Sequence, residues 1–287
     1  MSAGLDARQV RHAFARAAGT YESHAVLQAE IAMRLRERLD GIALAPARVL
    51  DVGSGPGAGS AALAARFPDA DVVAIDLALP MLRASTRHAG AFARVCGDAQ
   101  ALPIADACID LVWSNLCLQW CDDPGLALAE FARVLRPGGL LLFTTFGPAT
   151  LHELRAAFEA ADAKPHVGRF VDMHDIGDAL LTTGFRDPVL ERDDFTITYP
   201  DALALMHELR AIGATNADAK RQRTLTGKAH LKRVVDAYEA FRRDGVLPAT
   251  YEVVYAQAFA PEPGQPRRTR GGEIASFPIE RLRGRRR

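Results

Sequence analysis

The chain has 287 residues, equal numbers of acidic and basic side chains and 49% hydrophobic residues, enough apolar material for one large α/β domain or two small ones. It contains no apolar run of about 18 residues, and its start, MSAGLDARQVRHAF, lacks the basic-then-apolar pattern of a signal peptide, so a cytoplasmic protein with no membrane span is expected. The zero balance hides an asymmetry: residues 267–287 carry eight arginines and two glutamates, and a basic, solvated, disordered tail is expected over 263–287.

Residues 6–39 read as two helices forming an N-terminal cap over 1–46. Val10, Phe14 and Ala17 share one face, and Leu27, Ile31, Leu35 and Leu39 form a second stripe. GTYESHA breaks them and carries Tyr21. The segment ARVLDVGSGPG follows, in which the apolar run Val49 to Val52 ends in alternating Gly53, Gly55 and Gly57 before helix-forming residues. This predicts a strand, a tight loop and a helix. Glycine takes positive φ at no steric cost and offers no Cβ, so the backbone here can approach a nucleotide-like ligand closely.

Further strands are expected at Val72 to Ile75, ending in Asp76, before Asp98, up to Ser114 and Asn115, and at Leu140 to Phe143 after the Pro137-Gly138-Gly139 turn. A carboxylate at the end of the second strand can accept both hydroxyls of a ribose. Gly53, Gly55 and Ala58 also satisfy the relaxed dinucleotide pattern G-x-G-x-x-G/A. Against an NAD site stand Asp51, two residues before the first glycine, Pro56 with its missing amide, and the acceptor series Asp76, Asp98, Asn115. In order and spacing the region resembles S-adenosylmethionine-dependent methyltransferases of the Rossmann-like class. The implied fold is α/β, a seven-stranded methyltransferase sheet with N-terminal helices and inserted lid helices.

Beyond this core the pattern predicts helices in LHELRAAFEAAD and DMHDIGDALLTTGF, the second ending near Gly184, and a sixth strand in PVLERDDFTITY. Next come a helix with Leu203, Met206, Leu209 and Ile212 on one face, a helix over His230 to Arg243, and a last strand from Tyr251 to Phe259. The methyltransferase domain is expected to span 47–262, with helical insertions near 151–185 and 200–245 placed as a substrate lid. The two HELR echoes, at His152 and His207, lack the second histidine of a zinc-hydrolase helix, and no G-x-S-x-G elbow occurs. The four cysteines, Cys96, Cys108, Cys117 and Cys121, have no C-x-x-C spacing and read as buried free thiols, so no metal site is expected.

A closer resemblance runs through FARAAGTYESHAVLQ, WSNLCLQWCDDP, FTTFGPATLHELRAAF, HELRAIGATN and LPATYEVVYA. Together these segments are similar to the malonyl-acyl carrier protein O-methyltransferase family, which methylates a malonyl thioester at the start of pimelate and biotin synthesis. The resemblance implies S-adenosylmethionine as cofactor and an acyl carrier protein bearing a malonyl group as partner, with no nucleic acid. It places Asp51, Gly53, Gly55 and Gly57 along the methionine and ribose, Asp76 on the ribose hydroxyls, Asp98 on the adenine amine, and Met81 and Ala99 beside the ring. Asn115 would face both sulfonium and acceptor. Arg169, in KPHVGRFVD, would grip the carboxylate, with Arg16, Tyr21, Gln119, Trp120 and Phe146 completing the acceptor pocket and Tyr21, Asn115 and Arg169 closest to the chemistry. The same residues have plainer readings: Asp98 as a turn residue after Gly97, Met81, Trp120 and Phe146 as core, Arg169 as a surface cation. The chain is also similar to methyltransferase-like assembly factors of respiratory complex I, linked to arginine hydroxylation, and methyltransferases of other small carboxylates remain open.

Overall fold

The computed structural model describes residues 4–85, 88, 92–162, 164–221 and 227–262, and the backbone of 267–269 and 272–274. Seven strands, β1 Arg48–Val52, β2 Asp71–Asp76, β3 Ala93–Cys96, β4 Ile109–Ser114, β5 Leu135–Phe146, β6 Arg186–Tyr199 and β7 Leu247–Phe259, form one sheet in the order β3-β2-β1-β4-β5-β7-β6. The first five run parallel, and β7 enters antiparallel between β5 and β6. All six residues of β4 are buried, as expected of a central strand covered on both faces. β6, at the edge, instead alternates between half-buried and exposed positions.

Helices α1 Ala7–Ala17, α2 Tyr21–His24 and α3 Val26–Glu37 precede the sheet, and α4 Ala58–Arg66, α5 Leu79–Ala84 and α6 Pro124–Val134 connect its parallel strands. Then α7 His152–Ala161 and α8 Met173–Thr183 lie between β5 and β6, and α9 Ala202–Ala211 and α10 Lys228–Tyr238 between β6 and β7. Local chemistry sets several of these ends. Asp6, Asp123, Asp172 and Asp201 each accept a backbone N–H from the first turn of α1, α6, α8 and α9, and left-handed Gly184 stops α8. Two cores result. One joins α3, α4, α7, α9 and α10 to one sheet face through Ile31, Leu35, Leu63, Leu154, Leu205 and Val234, and the other joins α6 and α8 to the opposite face through Phe131 and Leu180.

Three expectations needed correction. The break around Tyr21 is itself a one-turn helix, so three helices stand where two were predicted. On α9 Met206 and Leu209 of the expected face pack against the main core and Ile212, just past its end, is buried, but Leu203 is exposed, and the fully buried positions of the helix are Ala202 and Leu205. β5 begins at Leu135 and passes through the Pro137-Gly138-Gly139 turn as a register irregularity against β4. The tail expectation lies largely outside the described residues. Within it, the backbones of Arg267–Thr269 and Gly272–Ile274 pair as an antiparallel ladder. No helix among the described residues is long and apolar enough to cross a membrane.

Candidate active site

The glycine loop leaves β1 with Gly53, Gly55 and Gly57 at φ +75°, +53° and +90°. Gly53 is irreplaceable by sterics as well as by φ, since a Cβ there would lie 2.5 Å from Cys117 Cβ. Gly55 passes beneath the Tyr21 ring, 3.9 Å from Cε1. Gly57 serves packing instead: it starts α4, its Cβ position is 2.7 Å from Ser85 Cβ, and it lines none of the cavities described here.

Two adjoining hollows share Tyr21, Gly53 and Gly55 and together form a trough whose mostly apolar walls carry a few carboxylates and amides. One is lined by Asp76, Met81, Asp98 and Ala99, the other by Asp51 and Asn115. At the end of β2, Asp76 accepts from Gly55 N at 2.9 Å and from Ala78 N at 2.7 Å. Burial lifts its carboxyl to about 6, against those two bonds. Asp51 accepts from Ser60 Oγ at 2.6 Å, and burial lifts it to about 7. No cation is among the groups that perturb either aspartate. Asp98 holds its own turn through Gln100 N at 2.9 Å. Burial pushes the Tyr21 phenol up, with Asp76 and Cys117 adding to it, so the ring stays neutral.

A second cavity, largely apolar, is lined by Phe146, Leu154, Phe170 and Tyr251, with Gln119, Trp120 and Arg169 on its walls. It meets the trough at Phe14, Leu116 and Trp120, where Phe14 packs edge-on against Trp120 at 5.1 Å between centroids. Gln28 joins it to the Asp51 side, and Gln28 O accepts from Asn115 Nδ2 at 3.1 Å. Thr144 donates to Asn115 Oδ1 at 2.8 Å, so the amide is fixed at both ends. Gln119 is held likewise, donating to Leu116 O and accepting from Thr145 Oγ1.

Arg169 is exposed and has no hydrogen-bond or ion-pair partner among the described residues. Its loop is positioned by Arg155, whose guanidinium donates to Pro148 O, Thr150 O and Gly168 O. Burial, with repulsion from Arg169, lowers the Arg155 pKa although Glu159 opposes them. His166, on the same cavity, stacks on Phe158 at 4.2 Å and lies 2.9 Å from Asp162 Oδ1, while His230 Nε2 is 3.5 Å from Asp162 Oδ2. This clasp ties the loop to α7 and α10. Of the residues predicted from sequence, only Arg16 is left aside with Gly57: it is exposed on α1 and lines no cavity described here.

Sequence reasoning missed Gln28, Leu116 and Cys117 as site walls. Leu116 and Leu151 line the cavities at φ +51° and +53°, conformations unusual for leucine and without a signature in sequence. It also missed two buried acids. Glu252 accepts from Ala149 N and Glu153 accepts from both Thr250 N and Thr250 Oγ1, bracing FGPATLHE against LPATYEVVY. A glutamate inside the apolar strand TYEVVY was the available signal.

Residues 50–143 match a family model described as a methyltransferase domain. A Methylovorus malonyl-(acyl-carrier protein) O-methyltransferase is 49% identical over 272 residues, covering 90% of each chain. The enzyme of the same description from Xylella fastidiosa is 48% identical over 292 residues, covering 100% of this chain and 99% of that one. The chain belongs to the malonyl-(acyl-carrier protein) O-methyltransferase family. Its fold recurs in a Bacillus halodurans C-125 protein described as a methyltransferase, at TM-score 0.58 and 20% identity over 79% of this chain and 98% of that one. It recurs again in Haemonchus contortus phosphoethanolamine N-methyltransferase 2 in complex with S-adenosyl-L-methionine, at TM-score 0.50 and 18% identity over 80% of this chain and 52% of that one.

Proposed function

We propose that this chain transfers a methyl group from S-adenosylmethionine to the free carboxylate of malonyl-acyl carrier protein, forming the malonyl methyl ester. The observation that carries this reading is the junction at Phe14, Leu116 and Trp120. There a trough bearing buried Asp51 and half-buried Asp76, neither with a cation among the groups that perturb it, opens onto an apolar cavity bearing an uncommitted guanidinium. The trough fits the cofactor: Asp76 suits the ribose hydroxyls, Asp98 the adenine amine, Met81 and Ala99 the ring faces, and Asp51 the methionine ammonium. When bound, S-adenosylmethionine supplies an electrophilic methyl group on a sulfonium.

The protein has little proton transfer to perform. A carboxyl group with an ordinary pKa of about 4 is ionised at neutral pH, so no general base is required. The neutral Tyr21 phenol covers the glycine loop as a wall and donor. Orientation is the main contribution, with the carboxylate oxygen held in line at ~3–3.5 Å from the methyl carbon. Arg169 fixes the other oxygen through its planar fork and selects for a carboxylate. Trp120 and Phe14, packed edge-on, give the junction apolar walls.

Purified protein incubated with S-adenosylmethionine and malonyl-acyl carrier protein should add one methylene mass to the carrier, read by mass spectrometry. Arg169→Ala should lower kcat/KM by about 100-fold or more while leaving cofactor Kd within about twofold, and Arg169→Lys should recover part of the loss. An unmethylated carrier, or full activity in the alanine variant, defeats the reading.

A further inference from the structure

Three side chains of metal-ligand type converge beside the acceptor cavity from separate segments. Asp162 caps the C-terminal end of α7, His166 follows in the loop leading to Arg169 and lines the cavity, and His230 stands in the first turn of α10. His166 Nε2 lies 2.9 Å from Asp162 Oδ1 and His230 Nε2 lies 3.5 Å from Asp162 Oδ2, and one donor atom from each of the three lies within 4.8 Å of the others. Their side chains are 22%, 14% and 16% exposed. Among the described residues no other three histidine, cysteine or carboxylate side chains meet in this way.

A hydrogen-bonded clasp accounts for only half of this arrangement. It joins His166 to Asp162, while His230 Nε2 makes no hydrogen bond. A zinc ion with bonds of about 2.0–2.1 Å spaces tetrahedral donors about 3.3–3.4 Å apart, and the two measured separations fall on either side of that edge. Two imidazoles and a carboxylate form a borderline donor set that suits Zn²⁺ or Co²⁺, whereas Mg²⁺ and Ca²⁺ call for oxygen ligands. The groups behind the donors are also in place. Phe158 stacks on the His166 ring at 4.2 Å, Lys164 N donates to Asp162 Oδ1 at 2.9 Å, and Asn216 Nδ2 donates to Pro165 O at 2.8 Å, latching the His166 loop from its other side. At His230 Nδ1 the only neighbour of this kind is the guanidinium of exposed Arg233 at 3.3 Å, which is free to turn into solvent and let Nδ1 carry the ring proton.

We propose that Asp162, His166 and His230 form a site for a Zn²⁺-class ion, with the fourth position left to water, and that the ion clamps the loop bearing Arg169 to α7 and α10. The expectation of no metal came from cysteine spacing and from the HELR segments. It does not bear on these ligands, because His230 is far along the chain from His166 and only the packing of α10 against α7 brings them together. The site is independent of the methyl-transfer reading.

The test takes the full chain, stripped with a chelator and desalted, and titrates it with Zn²⁺ in a calorimeter and with Co²⁺ by visible absorption. Wild type should bind one Zn²⁺ per chain. His230→Ala should weaken binding more than about 100-fold, beyond the cost of altering a group behind the ligands, and Asp162→Asn, which keeps the shape, should weaken it at least about tenfold. Arg233→Gln should bind as tightly as wild type or more tightly. Zn²⁺ at about 100 times its Kd should raise the wild-type Tm by roughly 5 °C over the metal-free protein and leave His230→Ala unmoved. Each variant is compared with its own metal-free state, so a change in basal stability does not confuse the reading. The Co²⁺ spectrum should show visible d–d bands without thiolate charge transfer. Absence of saturable Zn²⁺ binding in wild type, equal affinity in His230→Ala and Asp162→Asn, or a thiolate band assigning the ion to cysteine overturns the site. None of these readouts uses methyl transfer, so loss of that activity and loss of this site are told apart.

Discussion

Replacing Asp76 with asparagine separates the two tasks the structure gives this side chain. In the ligand-free fold both carboxylate oxygens are engaged, one by Gly55 N at 2.9 Å and one by Ala78 N at 2.7 Å. An amide keeps the shape but presents NH₂ to one of those donors. The fold should then lose about 1 kcal/mol, or roughly 2–4 °C in Tm for a chain of this size. The larger effect should fall on the cofactor. A hydrogen bond to a charged group is worth about 1.5–3 kcal/mol, so S-adenosylmethionine or S-adenosylhomocysteine should bind roughly 10- to 150-fold more weakly at about pH 7.5. Burial sets the Asp76 carboxyl at about 6, so at that pH it is mainly ionised. Below it the wild type is protonated, and the gap between wild type and variant should close as pH falls toward about 5. Isothermal titration calorimetry at the two pH values, with thermal melts alongside, reads each quantity. A Kd within twofold of wild type at the higher pH would remove Asp76 from the cofactor site, and a gap that persists unchanged at the lower pH would show that its charge is not what matters.

Asp51, lifted by burial to about 7, gives a second pH dependence. Cofactor affinity should rise with pH up to about 7 with proton release on binding, and Asp51→Asn should flatten the profile; equal affinity at pH 6 and 8 in the wild type refutes this. Because the folded pKa is raised, the same residue binds more protons in the folded chain than in the unfolded one between about pH 4 and 7, so its contribution to ligand-free stability declines as pH rises through that window. Gly53→Ala places a methyl 2.5 Å from Cys117 Cβ at φ +75°. Left-handed strain of about 1–2 kcal/mol plus that clash should lower the Tm by several degrees, and a melt unchanged from wild type would show the loop to be freer than its geometry indicates.

Local chemistry made the cofactor half of this protein readable. Gly53, Gly55 and Gly57 had to be glycine because each adopts positive φ, and Asp76 stands at a strand end because a short turn follows it, so their spacing survives in the chain as a pattern. Helix ends were equally legible, since Asp123 before Pro124 and Gly184 after Thr183 act on backbone within a few residues. What the chain could not announce was contact between distant segments. Whether Arg16 or Arg169 faces a cavity depends on how α1 and the 162–172 loop lie over the sheet, and only Arg169 does. Leu203 and Leu205 are the same residue type on the same helix, yet Leu205 reaches the core and Leu203 is exposed, because helix orientation is set by the sheet beneath it. The brace between Glu252 and Ala149 and the latch from Asn216 to Pro165 arise where segments far apart in sequence meet. Dihedral preference and capping act over a few residues and so can be read from the chain itself, whereas burial and hydrogen-bond completion are decided by neighbours that only folding supplies.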